Sequence, residues 1–501
     1  MLSRRKTWWL TVLLCCLVGC SNGNVSSGDR VLVSKFDYDS GIGEPHRFDV
    51  VVFKYPKGPI ENGVPKNYIK RLLGLPGQIL AIFFGQLFFY TPLPGERPRW
   101  NPQMDDVDNP LFNKYDLWQK DLFIENKMYD LTHTDDPGSR KLFTTPGKFQ
   151  IIRKPPEVMM SMRRIVYDND YPAMDLVDVL PPRWKPAENS GWASDKSNGF
   201  VHAAAKKNGV DWLRYRHILR PWTGPATPDR KPELITDMMD YNAGTPSLTN
   251  PITQCNWVGD LMVECDLTVN KAEGEFWLEL SRGGSRFQAS FDLATGKCTL
   301  FKMDKHGKQT ELAQADTRVK STGHFTFRLA NFDARLAVWV DNDLPFGDGK
   351  DYPPPNIRSE GEDEKSLSEE DLNERRGPTE YNDLEPASIG NRGAQVHVAH
   401  LRLWRDTYYL VVAPQPDIGL SQDDWCNPSQ WSRIRGIRSL DEDRGGMPFK
   451  TMYVQPGHYL CLGDNSPASS DSREWGVVPQ RLMLGRALMV YFPIDRAGPI
   501  R

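Results

Sequence analysis

The sequence of 501 residues predicts a mainly β chain with an antiparallel β-sandwich at its centre. Three observations carry this. Short segments alternate apolar and polar residues or run apolar: Glu275–Leu280, Arg286–Phe291, His324–Leu329 and Arg335–Val340. Turn signals separate them at Gly283-Gly284, Thr295-Gly296 and Asp341-Asn342. Strands of this length, spaced by turn residues, pair in succession and cover each other's apolar faces. Finally, helical signals gather in one place, Pro155–Tyr167, where two prolines and Glu157 open the segment as prolines and acids open helices.

Within this frame the elements read in order. Residues 96–195 are rich in Pro and Trp, with weak periodicity apart from that helix, whose methionines read as packing residues. Asp105, Asp106, Asp108, Asp135 and Asp136 have no calcium-loop spacing and read as solvated loops. From 196 to 410 the strands dominate. Trp277, Trp339 and Trp404 read as core rather than a sugar platform. His397 and His400, three apart on one strand, are expected on opposite faces and make a poor metal pair; no metal site is predicted. Ser359–Arg376 is charged and poor in aromatics, and reads as a mobile loop within the sandwich. Tyr453–Leu462 reads as a strand leading into a polar loop, and Leu484–Phe492 as a final buried strand. No repeat appears at solenoid periods.

Composition narrows the function classes. The net charge is −3 and no basic stripe follows the first residues, so nucleic acid is excluded as a partner. Cys255, Cys265, Cys298, Cys426 and Cys461 have no zinc-ligand spacing and read as buried thiols, with one or two disulfides as the alternative. No cofactor is implied.

The segment Asn67–Gly77, NYIKRLLGLPG, places Lys70 inside an apolar strand that a Gly-Leu-Pro-Gly turn stops. Burial disfavours an ammonium and can make a lysine a base near neutral pH; the competing reading is a lysine that snorkels its head to water. Far downstream, Gly463–Gly476, GDNSPASSDSREWG, is dense in hydroxyls and carboxylates around one arginine, a loop able to tie itself together and offer a hydroxyl to an amine.

These two blocks, preceded by Gly28–Lys35 (GDRVLVSK) and Arg47–Lys54 (RFDVVVFK), resemble the type I signal peptidase family in kind and in order. The resemblance covers roughly 26–90 and 450–495. It implies a small β core, split in two. It also implies that Lys70 is the general base, that Ser469 hydrogen-bonds and orients it, and that Asp464, Asp471 and Arg473 shape the site. The family's reaction is hydrolysis of one peptide bond after a small residue, next to a membrane, through a serine nucleophile activated by the lysine.

The chain departs from the family at the nucleophile. The family's Ser-Met-x-Pro-Thr-Leu block stands just before the Gly-Asp pair, whereas here Cys20–Ser27 reads CSNGNVSS. Counted back without gaps the nucleophile falls on Cys20, and the position two before it, a hydroxyl in the family, is Val18. Ser21, Ser26 and Ser27 are the nearby hydroxyls. The N-terminus accounts for the difference. Arg4, Arg5 and Lys6 precede an apolar run, Trp8–Gly19, shorter than the roughly 20 residues a membrane-spanning helix needs. Leu17–Cys20 resembles a bacterial lipobox, whose cysteine is acylated and anchors the mature chain to a membrane surface.

Between the two matching regions, Phe332–Asp341 (FDARLAVWVD) and Val396–Arg405 (VHVAHLRLWR) resemble strands of concanavalin-like, laminin-G-like jelly rolls. The expected organisation is a signal segment 1–20, first core part 21–95, irregular insertion with one helix 96–195, sandwich 196–410 and second core part 411–501. Two functions follow. One is a membrane-apposed endopeptidase acting on exported preproteins, with Lys70, Ser469 and one of Ser21, Ser26 or Ser27. The other is an inactive descendant whose sandwich binds a glycan or protein. Either resides in the bacterial cell envelope, anchored at the membrane with its globular part outside the cytoplasm.

Overall fold

The computed structural model describes residues 29–35, 38, 43–56, 66–91, 149–195, 198–203, 209–220, 225–239, 256–354, 377–411 and 449–501. Outside them lie Cys20, Ser21, Ser26 and Ser27, the aspartates of 105–136, Cys255, Cys426 and the charged segment 359–376.

Along the chain come β1 (Arg30–Ser34), β2 (Val50–Lys54), β3 (Asn67–Gly74), β4 (Ile79–Phe83), β5 (Gln86–Tyr90) and β6 (Gln150–Ile151). Helix α1 (Pro156–Met162) precedes β7 (Arg164–Asp168), β8 (Trp184–Pro186), β9 (Trp192–Ser194), β10 (Phe200–His202) and β11 (Asp211–Tyr215). The longer strands follow: β12 (Leu261–Lys271), β13 (Glu275–Arg282), β14 (Ser285–Asp292), β15 (Lys297–Met303) and β16 (Gln309–Asp316). Then come β17 (Gly323–Phe332), β18 (Arg335–Val340), β19 (Lys350–Asp351), α2 (Glu380–Asp383), β20 (Ala387–Arg392) and β21 (Gln395–Arg405). The chain closes with β22 (Phe449–Tyr453), β23 (His458–Leu462), α3 (Ser472–Trp475), β24 (Val478–Pro479), β25 (Met483–Phe492) and β26 (Gly498–Pro499).

Two antiparallel sheets form the inserted sandwich. One runs β19-β18-β17-β12-β21-β10-β9, with β7 also on β21; the other runs β16-β15-β14-β13-β20-β11-β8. Alternate residues of β12, β13, β14, β17 and β21 meet in one core that holds Val263, Leu278, Phe291, Phe327 and Leu403. Phe327 bridges the sheets, with its ring centroid 5.4 Å from Phe276 and 4.6 Å from Phe291. The hairpin β17–β18 turns at Asp333-Ala334, both at positive φ (52° and 55°), the handedness a tight hairpin turn needs. Trp339 is buried in a core cluster against which Trp404 packs partly buried, whereas Trp277 is buried on the outer face of its sheet, between Trp212 and Phe301. Cys265, Cys298 and Cys461 are buried free thiols.

The peptidase-like core is assembled from both ends of the chain. Its main sheet has the order β1-β25-β2-β3-β23-β24, so β3 lies between an early strand and a late one. A second sheet, β22-β4-β5-β6, likewise sets one late strand beside early ones.

Four expectations are corrected. The helix stops at Met162: Arg163 adopts an extended conformation, and Arg164–Asp168 is a strand paired with β21. Ile165 and Val166 suit a sheet edge better than a helix turn. The stretch 149–195 is less irregular than its composition indicates, since β7, β8 and β9 all join the sandwich sheets. Tyr453–Leu462 is two strands rather than one, broken at Gln455-Pro456-Gly457, where Gly457 has φ 72°. Finally, β25 is buried only in its first half; Leu488, Met489, Tyr491 and Phe492 are exposed.

The histidines are corrected as well. His400 sits at a bulge of β21, with φ 51° and a register shift opposite Glu264–Asp266. The extra residue cancels the parity, so His397 and His400 both lie on the outward side. Each meets its own aspartate, Asp195 and Asp170 respectively.

Candidate active site

Antiparallel pairing puts the site together. β3 pairs with β2 through Val51↔Lys70 and with β23 through Leu462↔Arg71, which places the loop after Leu462 directly beside Lys70. Lys70 Nζ donates to Ser469 Oγ at 2.9 Å, a contact between residues 399 positions apart. The sequence therefore brings together the strand lysine and the polar loop that it singles out.

The loop is held by its own charges. Asp471 is fully buried and caps α3, accepting from Arg473 N. Its Oδ1 accepts from Arg473 Nε at 2.8 Å, and its Oδ2 accepts from Arg473 Nη2 at 2.6 Å and from Gly463 N at 2.9 Å. Such a two-bond fork between guanidinium and carboxylate fixes geometry as well as charge. Asp464 forms a second fork, with Arg71 Nε at 2.9 Å and Nη2 at 2.7 Å. Cys461 N donates to Ser472 Oγ at 3.0 Å, tying the loop's far limb to β23. Trp475 fills the base of the site against Tyr55 and Tyr68, with centroids 5.4 and 5.0 Å away.

Gly463 leaves the room that the amine needs. A Cβ there would lie 2.0 Å from Ser469 Oγ and 3.2 Å from Lys70 Nζ, so any side chain displaces the pair. This is close approach, not a left-handed backbone requirement.

Burial, first, lowers the Lys70 pKa from the ordinary lysine range. The Asp471 carboxylate opposes that shift, and the Arg473 guanidinium adds to it. An amine whose charged form is disfavoured, aimed at a hydroxyl, can take a proton from a nucleophile and hand it on to a leaving amine. Burial pushes the neighbouring Cys461 thiol up, which keeps it protonated and unreactive.

Asp464, Asp471 and Arg473, expected near the site, surround it; the candidate nucleophiles Ser21, Ser26 and Ser27 and the lipobox Cys20 lie outside the described residues. Sequence reasoning missed Arg71 as the partner of Asp464. The residue stands next to Lys70 in the very segment singled out, but strand alternation points neighbours to opposite faces and gives no sign that one loop reaches both.

A second charged cluster lies away from this site. The carboxylates of Asp260, Asp333 and Asp406 approach within 4.8 Å of one another. Lys154 Nζ fills the space, 2.7 Å from both Asp333 and Asp406, and Arg282 lies 2.7 Å from Asp260.

The two segments that build the core, residues 16–90 and 426–492, match the family described as signal peptidase, peptidase S26. The two matching segments lie on either side of the long insertion, and the relatives they resemble include type I signal peptidases. Similar relatives include the probable signal peptidase I-2 of Synechocystis, 36% identical over 85 residues, 16% of this chain and 38% of that protein. Signal peptidase I of Buchnera aphidicola is 40% identical over 66 residues, 13% of this chain and 21% of that one. Mitochondrial inner membrane protease subunit 1 of Xenopus tropicalis is 29% identical over 102 residues, 18% of this chain and 53% of that one. The chain thus spans well under two thirds of the lengths of these relatives. Among solved structures, a carbohydrate-binding module, CBM66, of Bacillus subtilis is similar at 10% identity and TM-score 0.26, over 44% of this chain and 96% of that one. Caenorhabditis elegans galectin LEC-6 is similar at 12% identity and TM-score 0.19, over 29% of this chain and 83% of that one.

Proposed function

We propose that this chain is a signal peptidase I-like serine endopeptidase that cleaves the signal peptides of exported preproteins at a membrane surface. The observation that carries the proposal is the 2.9 Å contact between Lys70 Nζ and Ser469 Oγ, made by an amine that burial disposes to be neutral. In this reading Ser469 accepts one N–H of Lys70 and leaves the amine's lone pair to face the nucleophile's hydroxyl. A hydroxyl of Ser21, Ser26 or Ser27 gives its proton to Nζ as it attacks the scissile carbonyl, and the resulting ammonium protonates the leaving amine. Asp471, Arg473 and Asp464 hold the loop in place.

A membrane-apposed setting has support on the core's own surface. Leu32, Leu488, Met489, Tyr491, Phe492 and Ile494 are exposed on β1, β25 and the turn after it, more apolar surface than an isolated aqueous sheet end requires. Leu32 pairs with Met489, so these side chains share one ribbon. No helix among the described residues is long and apolar enough to cross a membrane. An acylated Cys20 would supply attachment without a span.

The other reading, an inactive lipoprotein whose sandwich binds a glycan or a protein, draws on the absence of a Ser-Met-x-Pro block before Gly28-Asp29. One assay separates the two. The purified full chain in detergent is given a preprotein with an Ala-x-Ala cleavage site, and products are weighed by mass spectrometry. A mature product cut after the second alanine is expected. Intact preprotein across pH 6–10 rejects the peptidase and leaves the binding role.

A further inference from the structure

The insertion touches the loop that carries Ser469 at two separate points. From β7, Arg164 Nη2 donates to the backbone oxygen of Asp464 at 3.1 Å. From the segment that returns the insertion to the core, Leu410 N donates to Ser466 Oγ at 2.8 Å. Arg473 closes that second contact: its Nη1 donates to Leu410 O at 3.0 Å and to Ser466 Oγ at 2.7 Å, and its Nη2 donates to Ser466 O at 2.9 Å. Arg473 is the same guanidinium that forks Asp471, and Asp471 in turn holds Gly463 N against the Lys70–Ser469 pair.

The returning segment is itself anchored at each step. Asp406 N donates to Asp260 O, and the Asp406 carboxylate takes Lys154 Nζ at 2.7 Å. Thr407 Oγ1 donates to Met162 O at 3.0 Å, and Tyr409 N donates to Gly85 O at 3.1 Å. Ser466 is buried, so its hydroxyl has no water to replace Leu410.

We propose that the inserted sandwich is a positioning element for the lysine–serine pair: through Arg164 and through Leu410 it clamps the 463–473 loop and thereby sets the environment of Lys70. The insertion is then part of the catalytic scaffold rather than a passenger on a loop. Its consequence for catalysis rests on the reading of Lys70 as a base, but the clamp is a claim about Lys70 itself and is tested without any cleavage.

The test uses the full chain and two variants. Ser466→Ala removes the oxygen that Leu410 and Arg473 share. Arg164→Met, on the insertion side, removes the bond to Asp464 O and keeps most of the bulk. Each lysine is labelled competitively with acetic anhydride from pH 6 to 11, and the midpoint of its reactivity is read by peptide mass spectrometry. A loosened loop admits water to Nζ, weakening the burial that is the largest cause of the lowered Lys70 pKa. The Lys70 midpoint is expected to rise by at least about half a pH unit, roughly a threefold fall in neutral amine at fixed pH below it. The exposed Lys185 and Lys320 serve as references and are expected not to move. A folded Arg164→Met protein with the wild-type Lys70 midpoint overturns the proposal, even if Ser466→Ala fails to fold. Failure of the preprotein assay with a raised midpoint in both variants leaves the clamp standing and rejects the peptidase reading alone.

Discussion

Lys70→Ala is expected to reduce preprotein cleavage by about 10²- to 10⁴-fold, the range that a positioned general base supplies, without unfolding the chain. Removing the amine deprives the nucleophile of its proton acceptor, and a serine hydroxyl at neutral pH is inert without one. Lys70→Arg is expected to do no better, although it keeps charge and reach, because a guanidinium does not lose its proton in water. Stability moves the other way. A partly buried ammonium is a cost to the fold, so an apolar residue at position 70 is expected to leave the unfolding midpoint unchanged or raised.

The pH dependence has a definite sign. The folded pKa of Lys70 lies below its unfolded value of 10.5, so between the two the unfolded chain binds the extra proton. Stability from this group therefore increases as pH rises through that window, and cleavage climbs with it as the neutral amine accumulates. Initial rates and thermal melts of wild type and both variants over pH 6–10 check each point. Cleavage that persists at the wild-type rate in Lys70→Ala removes the lysine from the mechanism.

Lys154→Met is expected to destabilise the chain by about 3–5 kcal/mol, the cost of leaving buried carboxylates without their counter-charge. Lys154 is 5% exposed in its side chain, and Asp333 and Asp406 are 3% and 5% exposed, so solvent cannot substitute for the ammonium. Position matters too. Asp333 forms the β17–β18 turn, Asp406 follows β21, and Lys154 follows β6, so one cation joins the insertion to the segment that enters it.

Burial, against the pull of Lys154, pushes Asp406 up to about 7, and Asp333 is raised for the same reason. A carboxyl raised in the folded state favours folding most below its unfolded value, and that contribution is lost as pH rises through about 7. Without the ammonium both acids rise further. The deficit of Lys154→Met is therefore expected to be largest above about pH 7 and to shrink toward pH 5. Urea unfolding at pH 5 and pH 8 measures it. A deficit equal at both pH values, or below about 1 kcal/mol, contradicts this assignment of the cluster.

The legible parts of the fold were those set by local patterns. The hairpin β13–β14 follows from alternation and the Gly283-Gly284 turn, β17 and β18 from alternation alone, and their strand limits fall within a few residues of the expected ones. The contact of Lys70 with Ser469 was legible for another reason, the family resemblance of two blocks nearly four hundred residues apart. What the sequence left hidden is tertiary in origin. The helix after Pro155 ends early because β21 offers an edge to Ile165 and Tyr167. His397 and His400 share a side because of one bulged residue, which no periodicity announces. Arg71, Ser466 and Leu410 gain their roles only once the loop, the strand and the insertion's exit stand together.

The most direct measurement is the titration of Lys70 in the folded protein. With lysine labelled at ¹³Cε, its resonance is assigned by its loss in Lys70→Arg and followed from pH 6 to 12 by NMR. The account predicts a midpoint below the ordinary lysine value of 10.5, rising toward it when Arg473, whose charge also lowers Lys70, is replaced by methionine. A Lys70 resonance that titrates at the ordinary value of 10.5 would mean that its amine is charged and solvated at neutral pH, and the lysine would not be a base.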